Sequence, residues 1–203
     1  MKLPVPYVFT FALLIGLSAN GQETKVFPPA VQIAMASQVA PEADRDGVAV
    51  YGYDANGTLV LLREGTNNLV CLADDPAKEG IQISCYNKKL EPFMARGRAL
   101  KAEGKSVLEI RETREQEVAA GTLQMPDAPS MLYILSGEEA QLNKETGMLT
   151  DGYLRYVIYI PFATTESTGL PDKPHAPGMP WLMDPGTHRA HIMVSPPPKE
   201  KPN

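Results

Sequence analysis

The run at 153–160 alternates Leu154, Tyr156, Ile158 and Ile160 with Tyr153, Arg155, Val157 and Tyr159. In an extended chain successive side chains point to opposite faces, so both faces of this strand are largely apolar or aromatic. Such a strand belongs in the middle of a sheet that is covered on two sides. The rest of the chain must therefore supply neighbouring strands and covering layers. On this reading Ile158 sits in the centre of the longest apolar strand, and Ile158→Ala is expected to cost about 2–5 kcal/mol.

Partner strands are legible upstream. Runs of β character at 48–53 and 58–63 flank Asp54, Ala55, Asn56 and Gly57, and Asn-Gly accepts the positive φ that a tight hairpin demands. Further runs fall at 69–73 and 81–85, so 48–86 reads as an antiparallel meander. Strands at 131–135 and 190–194 complete the set.

Three helices are expected. Pro28 and Pro29 open the first, with Val31, Ala34, Met35 and Val39 at helical spacing and Pro41 beyond its end. Leu90, Phe93, Met94, Gly97 and Leu100 form one face of the second, which Gly104 stops. Its Arg96, Arg98 and Lys101 read as a solvated face. Ser106 and Glu109 form a capping box for the third, which runs to Gly121 with Arg111 and Glu115 spaced to pair on its surface. Helices and strands are segregated along the chain, so the class is α+β with a mostly antiparallel sheet.

Residues 1–21 read as a secretory signal: Lys2, an apolar stretch from Tyr7 to Leu17, then small residues at Ser18, Ala19 and Gly21, with cleavage before Gln22. That stretch is too short to span a bilayer, and no membrane span is expected after the signal is removed. One domain then covers 22–195, and 196–203 is an extended Pro-rich tail. The expected location is secreted or periplasmic. In such an oxidising space Cys71 and Cys85, each in a β run, are expected to form a disulfide. The formal charge of -5 argues against a nucleic-acid surface, which needs a basic footprint.

Catalytic templates are missing. The chain has no glycine-rich nucleotide loop, no His-Glu-x-x-His, and no nucleophile elbow with both glycines. Asp74 and Asp75 precede Pro76 and read as a turn rather than an acid pair.

One segment stands apart. The stretch 161–188 carries six prolines and is anchored by Trp181, Leu182 and Met183, so it reads as an ordered loop. His175, His188 and His191 are the chain's only histidines, with Asp184, Met179 and Met183 among them and Met193 just beyond. Imidazole with the Asp184 carboxylate suits zinc, and imidazole with thioethers suits cuprous copper. The expected site is His188, Asp184 and His191, with His175 as a further metal ligand, at the mouth of a cleft. Three readings stay open: a non-catalytic binding or structural module, which leads; a zinc or copper protein; and a small enzyme with His188 or His191 as general base.

Overall fold

The structure, a computed structural model, describes residues 26–197. The signal reading of 1–21 and all but the start of the 196–203 tail lie outside those residues. The class is α+β. An eight-stranded sheet has the order β2-β1-β3-β4-β5-β6-β8-β7. Its strands are β1 (Ala49–Tyr53), β2 (Leu59–Arg63), β3 (Leu69–Leu72), β4 (Ile81–Asn87), β5 (Ser130–Gly137), β6 (Tyr153–Tyr159), β7 (Trp181–Met183) and β8 (His191–Val194). The helices are α1 (Pro29–Ser37), α2 (Glu91–Ala102), α3 (Val107–Ala119) and the single turn α4 (Thr165–Thr168).

The β1–β2 hairpin forms at the Asn-Gly turn. Gly57 takes φ 74°, and Asp54 Oδ1 accepts from the amides of Asn56 and Thr58, both at 2.9 Å. The meander expected over 48–86 is corrected at the next step. β3 does not continue outward from β2 but pairs with the other edge of β1, parallel to it, with Val50 beside Cys71. The 64–68 connection crosses over so tightly that a Cβ on Gly65 would stand 2.4 Å from the Ala49 amide nitrogen. β3, β4, β5, β6, β8 and β7 are then antiparallel in turn.

Cys71 and Cys85 face each other in the β3–β4 register and are bonded. They lie on the sheet face that α1 covers, within a core of Met35, Val39, Val48, Val50 and Ile83. Two glutamines of the first helical segment are also buried there. Gln32 Nε2 donates to the carbonyls of Phe27 (2.6 Å) and Tyr53 (2.9 Å), and its Oε1 accepts from Tyr53 N (2.7 Å). Gln38 does the same for Met35, Gly147 and Leu149. Each buried amide is thus satisfied by backbone groups and satisfies them in turn. The buried face of α1 is consequently Gln32, Met35 and Ala36, rotated from the Val31–Ala34 stripe.

The opposite face carries Val70, Tyr86, Leu90, Leu132, Val157 and Met193 and is covered by α2. β6 is internal, as its alternation implies, but its two faces are not equally covered. Val157 is buried, whereas Ile158 is only partly buried. The large loss expected at Ile158 is thereby corrected. Val157→Ala is now expected to cost about 2 kcal/mol and Ile158→Ala less, because the cost of deleted methyl groups follows their burial. Urea melts of the two variants check this, and a greater loss at Ile158 would contradict the assignment of faces.

The Pro-rich stretch is ordered, and Trp181, Leu182 and Met183 dock as the edge strand β7, antiparallel to β8. Leu182 is fully buried.

Candidate functional site

The turn at 184–189 sets up the histidine region. Asp184 takes φ 54° and its carbonyl accepts from the Thr187 hydroxyl at 2.8 Å. This places His188 in the turn and His191 at the start of β8. Both rings pack against an aromatic pair from other elements, Phe93 of α2 and Tyr159 of β6, whose centroids are 6.0 Å apart. His188 meets Phe93 edge-on at 5.8 Å, and His191 stacks on Tyr159 at 5.2 Å. The His191 Nδ1–H donates to the Arg189 carbonyl at 2.6 Å, which settles the tautomer because a carbonyl can only accept.

The expectation of His188 at the mouth of a cleft is corrected: it is 4% exposed, with Nε2 buried and unpartnered. Burial lowers the proton affinity of His188, with the positive charge of Arg189 acting in the same direction, and burial likewise lowers that of His191. Both rings are therefore held toward the neutral form. Asp184 is beside them but belongs to two arginines, bonding the guanidinium of Arg189 and, at 3.3 Å, that of Arg111 on α3. Arg111 thus turns to Asp184 rather than to Glu115 on its own helix.

His175 is not in this cluster. It lines a separate open groove of about 460 Å³ with Tyr153, Pro174, Met179, Trp181 and Pro196. Of the four expected ligands, the structure brings His188, His191 and Asp184 into one region and leaves His175 out. Among the described residues no three His, Cys, Asp or Glu side chains are grouped to hold a metal ion.

The cluster is closed from above by α3, which reaches it through arginines. Arg114 lays its guanidinium over the Phe93 ring at 3.9 Å and donates from Nη1 to the Phe93 carbonyl at 3.2 Å. Gly97 makes room for it, since a Cβ there would stand 2.9 Å from Arg114 Nη1. Arg96 of α2 grips Glu117 of α3 in a two-pronged pair, Nη2 donating to Oε1 at 2.7 Å and Nε to Oε2 at 3.0 Å. The helix-2 cations expected to be a solvated face are therefore partly structural: Arg98 pairs with Glu91 and Lys101 with Asp75.

A second candidate, absent from the sequence reading, lies on the other side of the sheet. A partly open cavity of about 150 Å³ has Phe27, Met35, Ile81 and Leu142 among its walls, with Asp74 and Glu139 as acidic groups. Asp74 Oδ1 accepts from the Gln82 amide at 2.7 Å. Burial, and secondarily the charges of Asp75 and Glu139, push the carboxyl up from 3.8 to about 6. Asp75 behaves as the turn residue expected, accepting from the Ala77 amide and pairing with Lys101. The two adjacent aspartates thus have opposite fates. The one signal for this was their position at the end of a buried strand, where one side chain must turn inward.

Lys78 and Lys144 stand at the same cavity. Its volume is comparable to that of an engineered core cavity that binds benzene, and its mixture of apolar and charged walls around one perturbed carboxyl is compatible with a small-molecule site. Among the described residues no helix is long and apolar enough to cross a membrane. Comparison of the chain with protein-family models, with curated proteins and with solved structures finds no match in any of the three.

Proposed function

We propose that this protein is an exported, non-catalytic binding module that holds a small amine with an apolar body in the Asp74 cavity. The observation that carries this reading is a carboxyl of raised proton affinity in the wall of a partly open cavity that also presents apolar side chains. The charges that act on Asp74 are themselves negative, Asp75 and Glu139, so a cationic head group is favoured beside this carboxyl, while Lys78 and Lys144 stand elsewhere in the lining. Apolar walls of Phe27, Met35, Ile81 and Leu142 suit a hydrocarbon body. The signal-like leader and the Cys71–Cys85 disulfide both support export, since disulfides persist in oxidising compartments. A binding role is favoured over general-base catalysis by the histidines themselves, which are packed into the aromatic cluster with His191 Nδ1 committed to a backbone carbonyl.

Benzylamine is the test probe, with benzyl alcohol as its uncharged control. Saturable binding of benzylamine by calorimetry is expected, weakened at least about tenfold in Asp74→Asn through loss of a charge-assisted bond. Binding of the alcohol as tightly as the amine, or no binding of either, would overturn the proposal. The same variant reports on the carboxyl without ligand. A folded-state value raised above the unfolded one means that the native state holds its proton longer. The protonated carboxyl's contribution is thus complete below about 3.8 and is lost as pH rises through about 6. Such a shift corresponds to about 3 kcal/mol for a fully desolvated group, and solvent screening at this half-buried position reduces it to about 1 kcal/mol. Asp74→Asn, which keeps the acceptor for the Gln82 amide, is expected to be more stable than the parent by that amount at pH 8 but not at pH 4. Parallel stability curves for the two proteins across that range would show that the carboxyl is not desolvated.

A further inference from the structure

On the opposite sheet face, we infer that the seam between α3 and the 184–189 turn is a second binding site, one that takes a carboxylate on an apolar or aromatic molecule between Arg114 and His188. Three independent observations converge there. Two nitrogens are buried without a hydrogen-bond partner, His188 Nε2 and Arg114 Nε, and both side chains lie against the same Phe93 ring. His188 is more than nine-tenths buried, so its unpaired nitrogen is an exception to the rule that buried polar atoms are satisfied. Arg114 is the second anomaly: among the described residues it has no ion pair, and its neighbours include a ring and a carbonyl.

The third observation is charge. Arg111, Arg114 and Arg189 gather in a chain that is acidic overall, and Asp184 is shared by two of them. Glu115 is the other carboxylate acting on His188, and Glu117, whose charge also reaches Arg114, is bonded to the further cation Arg96. Three guanidiniums against two carboxylates leave one positive charge in excess. A carboxylate neutralises that excess, whereas a phosphate dianion would reverse it beside Glu115. Arg is also suited to the planar, two-pronged grip that a carboxylate accepts. The rings of Phe93, Tyr159, His188 and His191 supply a surface for the rest of the ligand.

Access follows from how α3 is held. None of its residues is buried, and Val107 and Leu108 in its first turn are largely exposed. Its polar attachments are the Arg96–Glu117 and Arg111–Asp184 pairs and the Arg114–Phe93 contact, with Ile110 and Val118 half-buried beside them. Partly exposed ion pairs hold an element only weakly, because water screens them. The helix therefore lifts at small cost, and a bound carboxylate adds a partner for Arg114 that closes it again.

Benzoate is the probe, with acetate and inorganic phosphate compared at equal ionic strength on the full mature chain. Benzoate is expected to bind saturably, more tightly than acetate and than phosphate, and to move the Arg114 Nε–H resonance. It should also slow amide exchange in α3. Arg114→Gln is expected to weaken benzoate at least about tenfold, with Arg114→Lys intermediate, while circular dichroism shows the fold retained. Asp74→Asn should leave benzoate binding unchanged, which separates this site from the amine cavity. The inference is overturned by absence of saturable binding, by phosphate binding more tightly than benzoate, or by an Arg114 resonance that does not move in the parent protein. That last measurement decides the matter even if both Arg114 variants fail to fold.

Discussion

Phe93→Ala is expected to destabilise the protein by about 3–5 kcal/mol, the range for truncating a buried aromatic side chain. Phe93 is 2% exposed and is the common neighbour of Tyr159, His188 and Arg114. Its removal opens a void and also strips the ring from a guanidinium and an imidazole that each hold an unpaired buried nitrogen. The deleted contacts bridge α2, α3 and the sheet, so α3 should lose amide-exchange protection before the rest of the molecule. Guanidinium melts give the total and exchange gives its distribution. A loss below about 1.5 kcal/mol would show that the neighbours collapse into the space, as the measured spread among core truncations allows.

Replacing Cys71 and Cys85 together with alanine is expected to cost about 2–4 kcal/mol. The bond closes a loop with sequence separation 14, and the chain-entropy model assigns about 3 kcal/mol to a loop near that length. Both side chains are fully buried on the α1 face, so the substitution also thins the core there. Unfolding of the variant beside the oxidised parent measures the effect. A loss under about 1 kcal/mol would mean that the β3–β4 pairing and its core restrain the chain enough without the bond.

Features written in short stretches of chain could be read directly. Asn56-Gly57 dictates a hairpin because few other residues accept its backbone angles. Ser106 and Glu109 start α3, since each satisfies an amide at the other's position, and both bonds of that box are present. The alternation at 153–160 marks an internal strand, and the two cysteines lie in β runs that turn out to be adjacent. Trp181, Leu182 and Met183 were legible as anchors of the Pro-rich segment, though not as a strand. Three residues carry too little pattern to show one.

What lay beyond the sequence was decided by partners far apart in it. Whether β3 ran beside β2 or crossed to β1 depended on the close approach of Gly65 to Ala49, which no local pattern encodes. Gln32 and Gln38 are polar residues of the first helical segment, and they are buried where Tyr53, Gly147 and Leu149 present backbone groups that bond to them. The histidine segment shows the same limit. Its composition suggested ligands at a cleft, but α2 and α3 brought Phe93 and Arg114 over it, enclosing His188 and diverting Asp184 to arginines. Asp74 and Asp75, indistinguishable as neighbours in a turn, were separated by what each faced: a cavity wall for one, Lys101 for the other. Local sequence determined where strands and helices start and stop, because those choices rest on backbone angles and nearby hydrogen bonds. Only the tertiary structure decided which ionisable groups are desolvated and which are paired, because proton affinity and binding chemistry depend on the atoms that surround a group in space.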